Sequence, residues 1–211
     1  NTITGVADAM IDSTPMVVIC GQVGAAMLGT DAFQEVDVVG VTQPITKWNY
    51  QIRRAEDIPW AVARAFYIAK SGRPGPVVLD FAKNAQTAMI DYAPQTVNFI
   101  RSYNPVPSAD AVSIEDAARL INQSVKPLML VGQGVELAGA RQELLELCEK
   151  AQIPFGQTML GLSAAPTNHP LNMGMLGVHG NLAPNVMTNQ CDLLIAVGMR
   201  FDDRVTGDLH T

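Results

Sequence analysis

The sequence predicts an α/β protein whose sheets are parallel and form three-layer domains with helices on both faces. Short apolar runs rich in valine, leucine and isoleucine alternate with helical patterns, and turns rich in glycine and proline separate them. Continuous apolar runs are typical of strands that are buried on both faces, as in parallel sheets. The alternation stops once and then restarts, so we predict two such domains.

The first half is predicted to contain two strands and one long helix after an initial helical pattern. Residues 15–20 and 76–81 are apolar runs of strand length. Residues 57–72 are predicted to form a helix, with Asp57 as its N-cap and Pro59 in its first turn. A spacing of three to four residues defines the face that we predict to be buried, which consists of Trp60, Ala63, Phe66, Tyr67 and Lys70.

Residues 91–111 are predicted to link two domains, 1–90 and 112–211. This stretch contains three prolines and little periodicity, which is unlike the interior of a compact domain. The α/β pattern then restarts with a helix over 113–124 (capping box Ser113 to Asp116), a strand over 126–132, a helix over 137–151, and strands over 153–158 and 191–198. Each half lacks elements that a complete sheet needs, so we expect the chain to be a segment of a longer protein.

Composition and charge argue against several classes of function. The net charge is −6 and no basic stripe is present, so we expect no nucleic-acid partner. No apolar run reaches the roughly 18 residues of a membrane span, and no signal-peptide pattern is present, so we expect a cytoplasmic protein without a membrane partner. The cysteines are expected to be reduced, and neither they nor the histidines have the spacing of metal ligands: Cys20, Cys148, Cys191, His169, His179 and His210.

The stretch VGQGVELAG, residues 131–139, follows a predicted strand and opens a helix. That order presents backbone N–H groups to a phosphate, or it makes only a tight turn, and the residues alone favour neither interpretation. A dinucleotide fingerprint needs a third glycine at 137, where this chain has leucine, and an acidic residue about twenty positions further on, where it has PFGQT. A dinucleotide-binding oxidoreductase module is therefore the alternative function rather than the first.

Three further segments carry side chains that suit a ligand. Arg73 lies in the rigid turn GRPGP, where a guanidinium suits phosphate or carboxylate, although a solvent-exposed arginine is an equal alternative. Phe33 and Gln34 in GTDAFQE pair a stacking group with a hydrogen-bonding group, although most such phenylalanines belong to a core. The stretch MGMLGVHGN, 173–181, allows close approach of the backbone to a flat ligand, and its His179 is more often a structural than a catalytic residue.

The segment VGMRFDDRVTG, residues 197–207, ends a predicted strand in a cluster of opposite charges. Ligands of parallel α/β sheets bind at the carboxyl ends of the strands, which is where this cluster begins. Arg200 and Arg204 flank two aspartates, so each charge can be paired and oriented. The alternative is a solvated turn of ion pairs without a ligand.

Taken together, these segments resemble one family in order and spacing. ITGVADAMIDSTPMVVICGQV, GTDAFQE, SGRPGPVVLDFAK, MLGLSAAPTNHPL, MLGVHG and VGMRFDDRVTG are similar to the catalytic large subunit of the acetohydroxyacid synthase (acetolactate synthase) family, and the resemblance covers essentially the whole chain. It implies that residues 1–90 are the later part of a thiamin-pyrimidine-binding domain. It also implies that residues 112–211 are an incomplete, Rossmann-like central domain that binds FAD.

The resemblance further implies a reaction, cofactors and partners. The family uses thiamin diphosphate, Mg²⁺ and FAD to decarboxylate pyruvate and to ligate the two-carbon unit to a second 2-keto acid in branched-chain amino-acid synthesis. It implies a homodimer or larger assembly, to which a small regulatory subunit can bind. Phe33, Gln34 and Lys83 would line the active site, and Arg204 would bind the keto-acid carboxylate. FAD would contact Arg73, Gly132, Gln133, Gly134, Thr158, Met159, Leu160, Leu176, Gly177, Val178, His179, Gly198, Arg200, Asp202, Arg204 and Val205.

The chain departs from the family pattern at several points. The glutamate that activates thiamin and the motif for Mg²⁺ and diphosphate belong to family segments that this chain does not contain, so no metal ligand is assigned here and we expect the isolated chain to be inactive. The family commonly has PKD where this chain has AKN at 82–84, which keeps Lys83 but removes a carboxylate. Gln133 lies in a turn that is usually all glycine.

Overall fold

The computed structural model describes residues 1–207, which form two compact units. The first unit is Asn1–Ser108 and the second begins at Ala109. Each unit is built around one sheet, and every strand pairing in both sheets is parallel among the described residues. The α/β fold class with parallel sheets that the sequence predicts is confirmed.

The first unit has a three-stranded sheet with the order β1-β3-β2. Its elements in chain order are α1 (Thr2–Ile11), β1 (Met16–Gln22), α2 (Val38–Thr42), β2 (Trp48–Ile52), α3 (Ile58–Lys70), β3 (Pro76–Ala82) and α4 (Lys83–Thr87). All seven residues of the central strand β3 are buried, as its continuous apolar run predicts. The strand β2 was not predicted, because its polar residues Asn49 and Gln51 alternate with apolar ones and break the apolar run.

Helix α3 packs on this sheet through a different face from the predicted one. Its buried residues are Ala61, Ala65, Ile68 and Ala69. The predicted face was wrong because small side chains let the helix approach the sheet closely, whereas Phe66 on the predicted face is 53% exposed. Trp60 instead lies edge-on to Trp48 and Tyr50 of β2, with ring centroids 6.0 and 5.3 Å away.

The stretch predicted to be a linker is irregular in its backbone but packs against the first unit. Residues 88–110 contain neither helix nor strand. Ile100 is nevertheless buried in the core beneath α3. The hydroxyl of Tyr103 donates to the Ser71 carbonyl at 3.1 Å, and its ring lies edge-on to Tyr67. These contacts show that the part of the stretch up to Ser108 belongs to the first unit.

The second unit has a four-stranded sheet with the order β6-β5-β4-β7. Its elements are α5 (Ala111–Gln123), β4 (Pro127–Val131), α6 (Gly134–Leu137), α7 (Arg141–Ala151), β5 (Phe155–Gln157), β6 (Asn172–Met175), α8 (Leu182–Gln190), β7 (Leu193–Val197) and α9 (Asp203–Thr206). Met129, Val131 and Phe155 form the core on one face of the sheet, while Leu128 and Leu130 pack with Leu176 on the other.

The structure of this unit differs from several of the predicted elements. The capping box from Ser113 to Asp116 is wrong, because Asp110 caps α5: its Oδ2 accepts from both the backbone N and the Oγ of Ser113. The helix predicted over 137–151 is interrupted near Gly139, whose φ is +67°. Strand β6 was not predicted, since its sequence NMGM is short and contains a glycine. Helix α8 was not predicted either. His210 of the sequence prediction lies outside the described residues.

Candidate functional site

In the second unit, the segments predicted to contact flavin all follow the carboxyl ends of strands. The turn Gly132–Gly134 follows β4, Thr158–Leu160 follows β5, Leu176–His179 follows β6, and Gly198 follows β7. The four strands are parallel, so these segments lie at one edge of the sheet. This edge is where open α/β sheets place their ligands.

The turn Gly132–Gly134 needs its glycines because the backbone after β7 approaches it closely. The Gly132 N–H donates to Val197 O at 2.9 Å, and the Gly134 N–H donates to Gly198 O at 2.7 Å. A Cβ on Gly132 would lie 2.4 Å from Gly198 O, and one on Gly134 would lie 2.5 Å from Gly198 Cα. Contact between the two strand ends therefore accounts for these glycines without a ligand. Gln133 lies between them and is half-buried.

The loop after β5 is held by a buried amide that the sequence prediction did not single out. Gln157 is 1% exposed, donates through Nε2 to the Gly161 carbonyl at 2.9 Å, and accepts from Asn172 Nδ2 at 2.9 Å. The Thr158 N–H donates to Val131 O at 2.9 Å. The loop that is anchored in this way exposes the apolar side chain of Met159, which is 72% accessible. Leu160 beside it is also exposed.

The turn after β6 combines a buried backbone with exposed side chains. Leu176 and Gly177 are buried, whereas Val178 and His179 are exposed. Gly177 has φ +98°, and its N–H and C=O both bond to the side chain of Asn185 in α8. The turn thus points the side chains of residues 178 and 179 outward while its backbone is fixed from beneath.

The charged segment after β7 crosses towards the turn after β6. The Val178 N–H donates to the Arg204 carbonyl at 2.8 Å. Val205 packs beside Leu176. Since β7 and β6 are the two edge strands of this sheet, the segment that contains Arg204 spans the carboxyl ends of the strands between them.

Asp202 contacts backbone groups of this segment, whereas Asp203 pairs with Arg204 at the surface. Asp202 caps α9, because its Oδ1 accepts from Arg204 N at 3.0 Å and from Val205 N at 3.2 Å. Arg204 Nε lies 3.8 Å from Asp203 Oδ2, with the two side chains 77% and 82% exposed. A pair as exposed as this contributes about 0–1 kcal/mol to stability. Arg200 is exposed as well.

In the first unit, Phe33 and Gln34 lie in a loop that the carboxylate of Glu35 closes. Glu35 Oε1 accepts from Gly29 N at 2.5 Å and Oε2 accepts from Ala32 N at 3.2 Å. The hydrogen bond from Gly29, followed by the weaker effect of the bond from Ala32, lowers the pKa of the Glu35 carboxyl. Phe33 is 88% exposed, and Gln34 has φ +63°. Phe33 is therefore not a core residue of the described unit.

A buried polar group fastens the end of this loop to the sheet. Gln22 Nε2 donates to the Val36 carbonyl at 2.7 Å and lies 3.2 Å from Oδ2 of Asp80. Gln51 Nε2 donates to the same carboxylate oxygen at 2.9 Å. Asp80 is 0% exposed at the centre of β3, a position that the apolar pattern PVVLDF did not reveal as functional or structural. The amides of the two edge strands thus solvate this carboxylate.

Lys83 and Asn84 follow the end of β3, at the same sheet edge. Lys83 is exposed, and its N–H donates to Val23 O at 3.4 Å. Asn84 bridges the two neighbouring loops: its Oδ1 accepts from Ala25 N at 2.8 Å and its Nδ2 donates to Arg53 O at 2.9 Å. Asparagine carries both a donor and an acceptor here, which an ionised aspartate does not.

Arg73 belongs to the first unit, whereas the other residues predicted to contact FAD belong to the second. Its Nε donates to Ser13 Oγ at 2.8 Å and its Nη2 donates to the Ile11 carbonyl at 2.9 Å. Both acceptors are neutral, so these contacts orient the guanidinium at the end of α1 without neutralising its charge.

Residues 1–207 have few other features that are typical of a functional site. This part of the chain has no cluster of three or more His, Cys, Asp or Glu side chains that could hold a metal ion. Its helices include none that is both long and apolar enough to cross a membrane. An open groove of about 500 Å³ lies between Trp60 and residues 89–95, and none of the predicted site residues lines it.

Comparison with protein families gives the class of protein. Residues 1–41 match the family "Thiamine pyrophosphate enzyme, N-terminal TPP binding domain", and residues 114–211 match the family "Thiamine pyrophosphate enzyme, central domain". An X-ray structure described as a thiamin diphosphate-dependent enzyme from Mycobacterium smegmatis superposes with a TM-score of 0.76 at 27% identity, covering 97% of this chain and 39% of that one. Residues 1–41 and 114–211 therefore have the domains of thiamin diphosphate-dependent enzymes.

Within that class, the chain is homologous over its whole length to large subunits of acetolactate synthase. It is 46% identical over 211 residues to the acetolactate synthase large subunit of Corynebacterium glutamicum. It is 47% identical over 207 residues to the acetolactate synthase isozyme 1 large subunit of Escherichia coli K12. The chain covers 34% and 36% of these two relatives, so it spans about a third of their length. The family resemblance inferred from the motifs is confirmed.

Proposed function

We propose that this chain forms part of the catalytic large subunit of an acetolactate synthase, in a protein of its relatives' full length (below, the full-length protein). That enzyme decarboxylates pyruvate and ligates the two-carbon unit to a second 2-keto acid. The observation that carries the proposal is the 46% identity to an acetolactate synthase large subunit across all 211 residues. Thiamin diphosphate, when bound, supplies the electron sink for the decarboxylation.

FAD is the second cofactor that we propose, at the carboxyl ends of the strands of the second unit. The chemistry of the exposed side chains fits such a ligand: Met159, Leu160 and Val178 offer apolar surface for a flat ring, and Arg200 offers a cation for a pyrophosphate. The glycines carry less weight in this argument, because packing of the backbone already explains them. The segments that follow β4, β5, β6 and β7 all lie at this edge of the sheet, which supports one extended ligand rather than several small ones.

The residues proposed to face thiamin and substrate are Phe33, Gln34 and Lys83. Phe33 is exposed on a loop whose backbone is fixed at both ends, so its ring can stack on a ligand without a large ordering cost. Lys83 is exposed at the carboxyl end of β3, where its ammonium can bind an anion. Arg204 is proposed to bind the carboxylate of the second keto acid, since its side chain is 77% exposed and its only paired carboxylate in the described residues, Asp203, is exposed too.

Assembly and metal binding belong to the same proposal. We propose 2-keto acids as substrates, Mg²⁺ as the ion that anchors the diphosphate, a homodimer or larger assembly of catalytic subunits, and a cytoplasmic location. No Mg²⁺ ligand is assigned to this chain. Because it spans about a third of the length of its acetolactate synthase relatives, we expect the 211-residue chain alone to form no acetolactate.

The test is a comparison of the full-length protein with the 211-residue chain. Purified full-length protein with pyruvate, thiamin diphosphate, Mg²⁺ and FAD is expected to form acetolactate, measured after conversion to acetoin, and the chain alone is not. A folded full-length protein that forms none with every cofactor present would refute the proposal. Tight NADH binding without flavin binding would instead favour the dinucleotide-dependent oxidoreductase.

A further inference from the structure

One side chain contacts the turn Leu176–His179 at two points of its backbone. Asn185, near the start of α8, donates through Nδ2 to the Gly177 carbonyl at 2.9 Å and accepts through Oδ1 from the Gly177 N–H at 2.9 Å. The amide thus pairs with both backbone groups of one residue, as a neighbouring strand does in a hydrogen-bonded pair. Such a two-point contact sets the orientation of the peptide as well as its position.

The opposite side of the same turn is held by the segment after β7. The Val178 N–H donates to the Arg204 carbonyl at 2.8 Å, and a Cβ added to Gly177 would lie 2.5 Å from that carbonyl oxygen. Gly177 is buried and has φ +98°, a conformation that only glycine adopts readily. The peptide between Gly177 and Val178 is therefore confined between the Asn185 amide and the Arg204 backbone.

Removal of this amide would leave a buried donor unsatisfied. The Gly177 carbonyl keeps a second partner, since it also accepts from Gly180 N at 2.9 Å, whereas the Gly177 N–H donates to Asn185 Oδ1. A buried N–H without an acceptor drives the backbone to rearrange towards water. The turn would then move relative to Arg204, and the exposed Val178 and His179 would move with it.

We propose that Asn185 is a positioning residue for the flavin site, which fixes the turn Leu176–His179 and keeps it in register with the segment that carries Arg204. This inference rests on the proposed function, because it takes that turn to be in contact with FAD. Asn185 itself need not touch the flavin, since its amide is already engaged by the Gly177 backbone.

The experiment compares variants of the full-length protein for flavin binding. Asn185→Leu removes both bonds at similar volume, and Asn185→Asp keeps the acceptor for the buried N–H while it removes the donor. Asn189→Leu, one turn later on the same helix at an exposed position, is the matched control. The dissociation constant for FAD is measured by quenching of flavin fluorescence, the environment of the bound flavin by circular dichroism in the visible range, and folding by the thermal midpoint of the apoprotein.

We expect Asn185→Leu to weaken FAD binding about ten-fold or more, which is about 1.4 kcal/mol, and to change the visible circular dichroism of the flavin. Asn185→Asp keeps the acceptor of the buried N–H, so it should change the same spectrum with a smaller loss of affinity and of thermal stability than Asn185→Leu, and the outcome does not depend on the leucine variant being folded. The control should stay within two-fold of the wild type. Both Asn185 variants binding FAD like the wild type, with an unchanged spectrum, would overturn the inference. A wild-type full-length protein that binds no FAD would refute the proposed function and this inference with it.

Discussion

Asn84 provides the sharpest test of how the first unit is held together, because one exposed side chain contacts two separate loops. The amide joins two loops that follow neighbouring strands: Oδ1 accepts from Ala25 N at 2.8 Å, and Nδ2 donates to Arg53 O at 2.9 Å. In Asn84→Asp the first bond survives. The second is replaced by a carboxylate oxygen that faces the Arg53 carbonyl oxygen, and these two acceptors repel each other.

The size of the effect follows from the exposure of the site. A hydrogen bond contributes about 0.5–1.5 kcal/mol net, and an exposed carboxylate can turn towards water, so we expect Asn84→Asp to cost about 1 kcal/mol. A loss of about 1 kcal/mol lowers the thermal midpoint of a domain near 100 residues by about 4 °C. The measurement is thermal unfolding of the 211-residue chain, followed by circular dichroism at pH 7.

The control is Asn98→Asp, which adds the same charge at an exposed position of the same unit. Asn98→Asp is expected to leave the thermal midpoint unchanged. Below about pH 4 the introduced carboxyl becomes protonated and can donate again, so the difference between Asn84→Asp and the wild type should shrink. If Asn84→Asp is as stable as the control at pH 7, the bridge between the two loops contributes nothing and the argument is refuted.

Three other changes test the fold. The pKa of the Asp192 carboxyl is lowered, chiefly by the Ser124 hydroxyl and then by backbone N–H groups, so its contribution to stability is present above the unfolded-state pKa and is lost as the pH falls through the folded-state pKa. Asp192→Asn should therefore flatten the loss of stability between about pH 5 and pH 2, measured by urea titration. An unchanged slope would contradict this. Burial is the main cause that raises the pKa of the Cys148 thiol to about 11. The thiol should therefore react with a disulfide reagent at pH 8 only as fast as the protein unfolds. Immediate labelling of Cys148 in the native chain would contradict its burial. Gly177→Ala adds a Cβ 2.5 Å from a backbone carbonyl oxygen at φ +98°, and should lower the free energy of unfolding by more than about 1 kcal/mol. Gly139→Ala at φ +67° meets no atom within 4 Å and should lower it by less. Equal thermal midpoints for the two variants would rule out the clash.

Elements with a long, uniform pattern were predicted well from the sequence. The apolar runs PVVLDF and CDLLIAVG became β3 and β7. Burial on both faces accounts for the apolar run of β3, whereas β7 is an edge strand whose residues are half-buried or exposed. β2 and β6 were missed because polar residues interrupt their apolar pattern. The hydrogen-bond partners of these residues lie in other segments of the chain; the Asn49 amide, for example, donates to Val39 O at 2.7 Å. The face of α3 was predicted wrongly because helical spacing alone does not say whether large or small side chains meet the sheet.

The sequence by itself determined the fold class, the family and the segments that lie at the carboxyl ends of the strands, since these follow from local patterns and from motifs that are contiguous in the chain. Only the tertiary structure decided what holds those segments in place. Gln157, Asn185, Asn84 and Glu35 are ordinary polar residues in the sequence, and each becomes specific through the backbone groups that it reaches. A buried N–H or C=O must find a partner, and which side chain supplies it depends on how segments far apart in the sequence pack together.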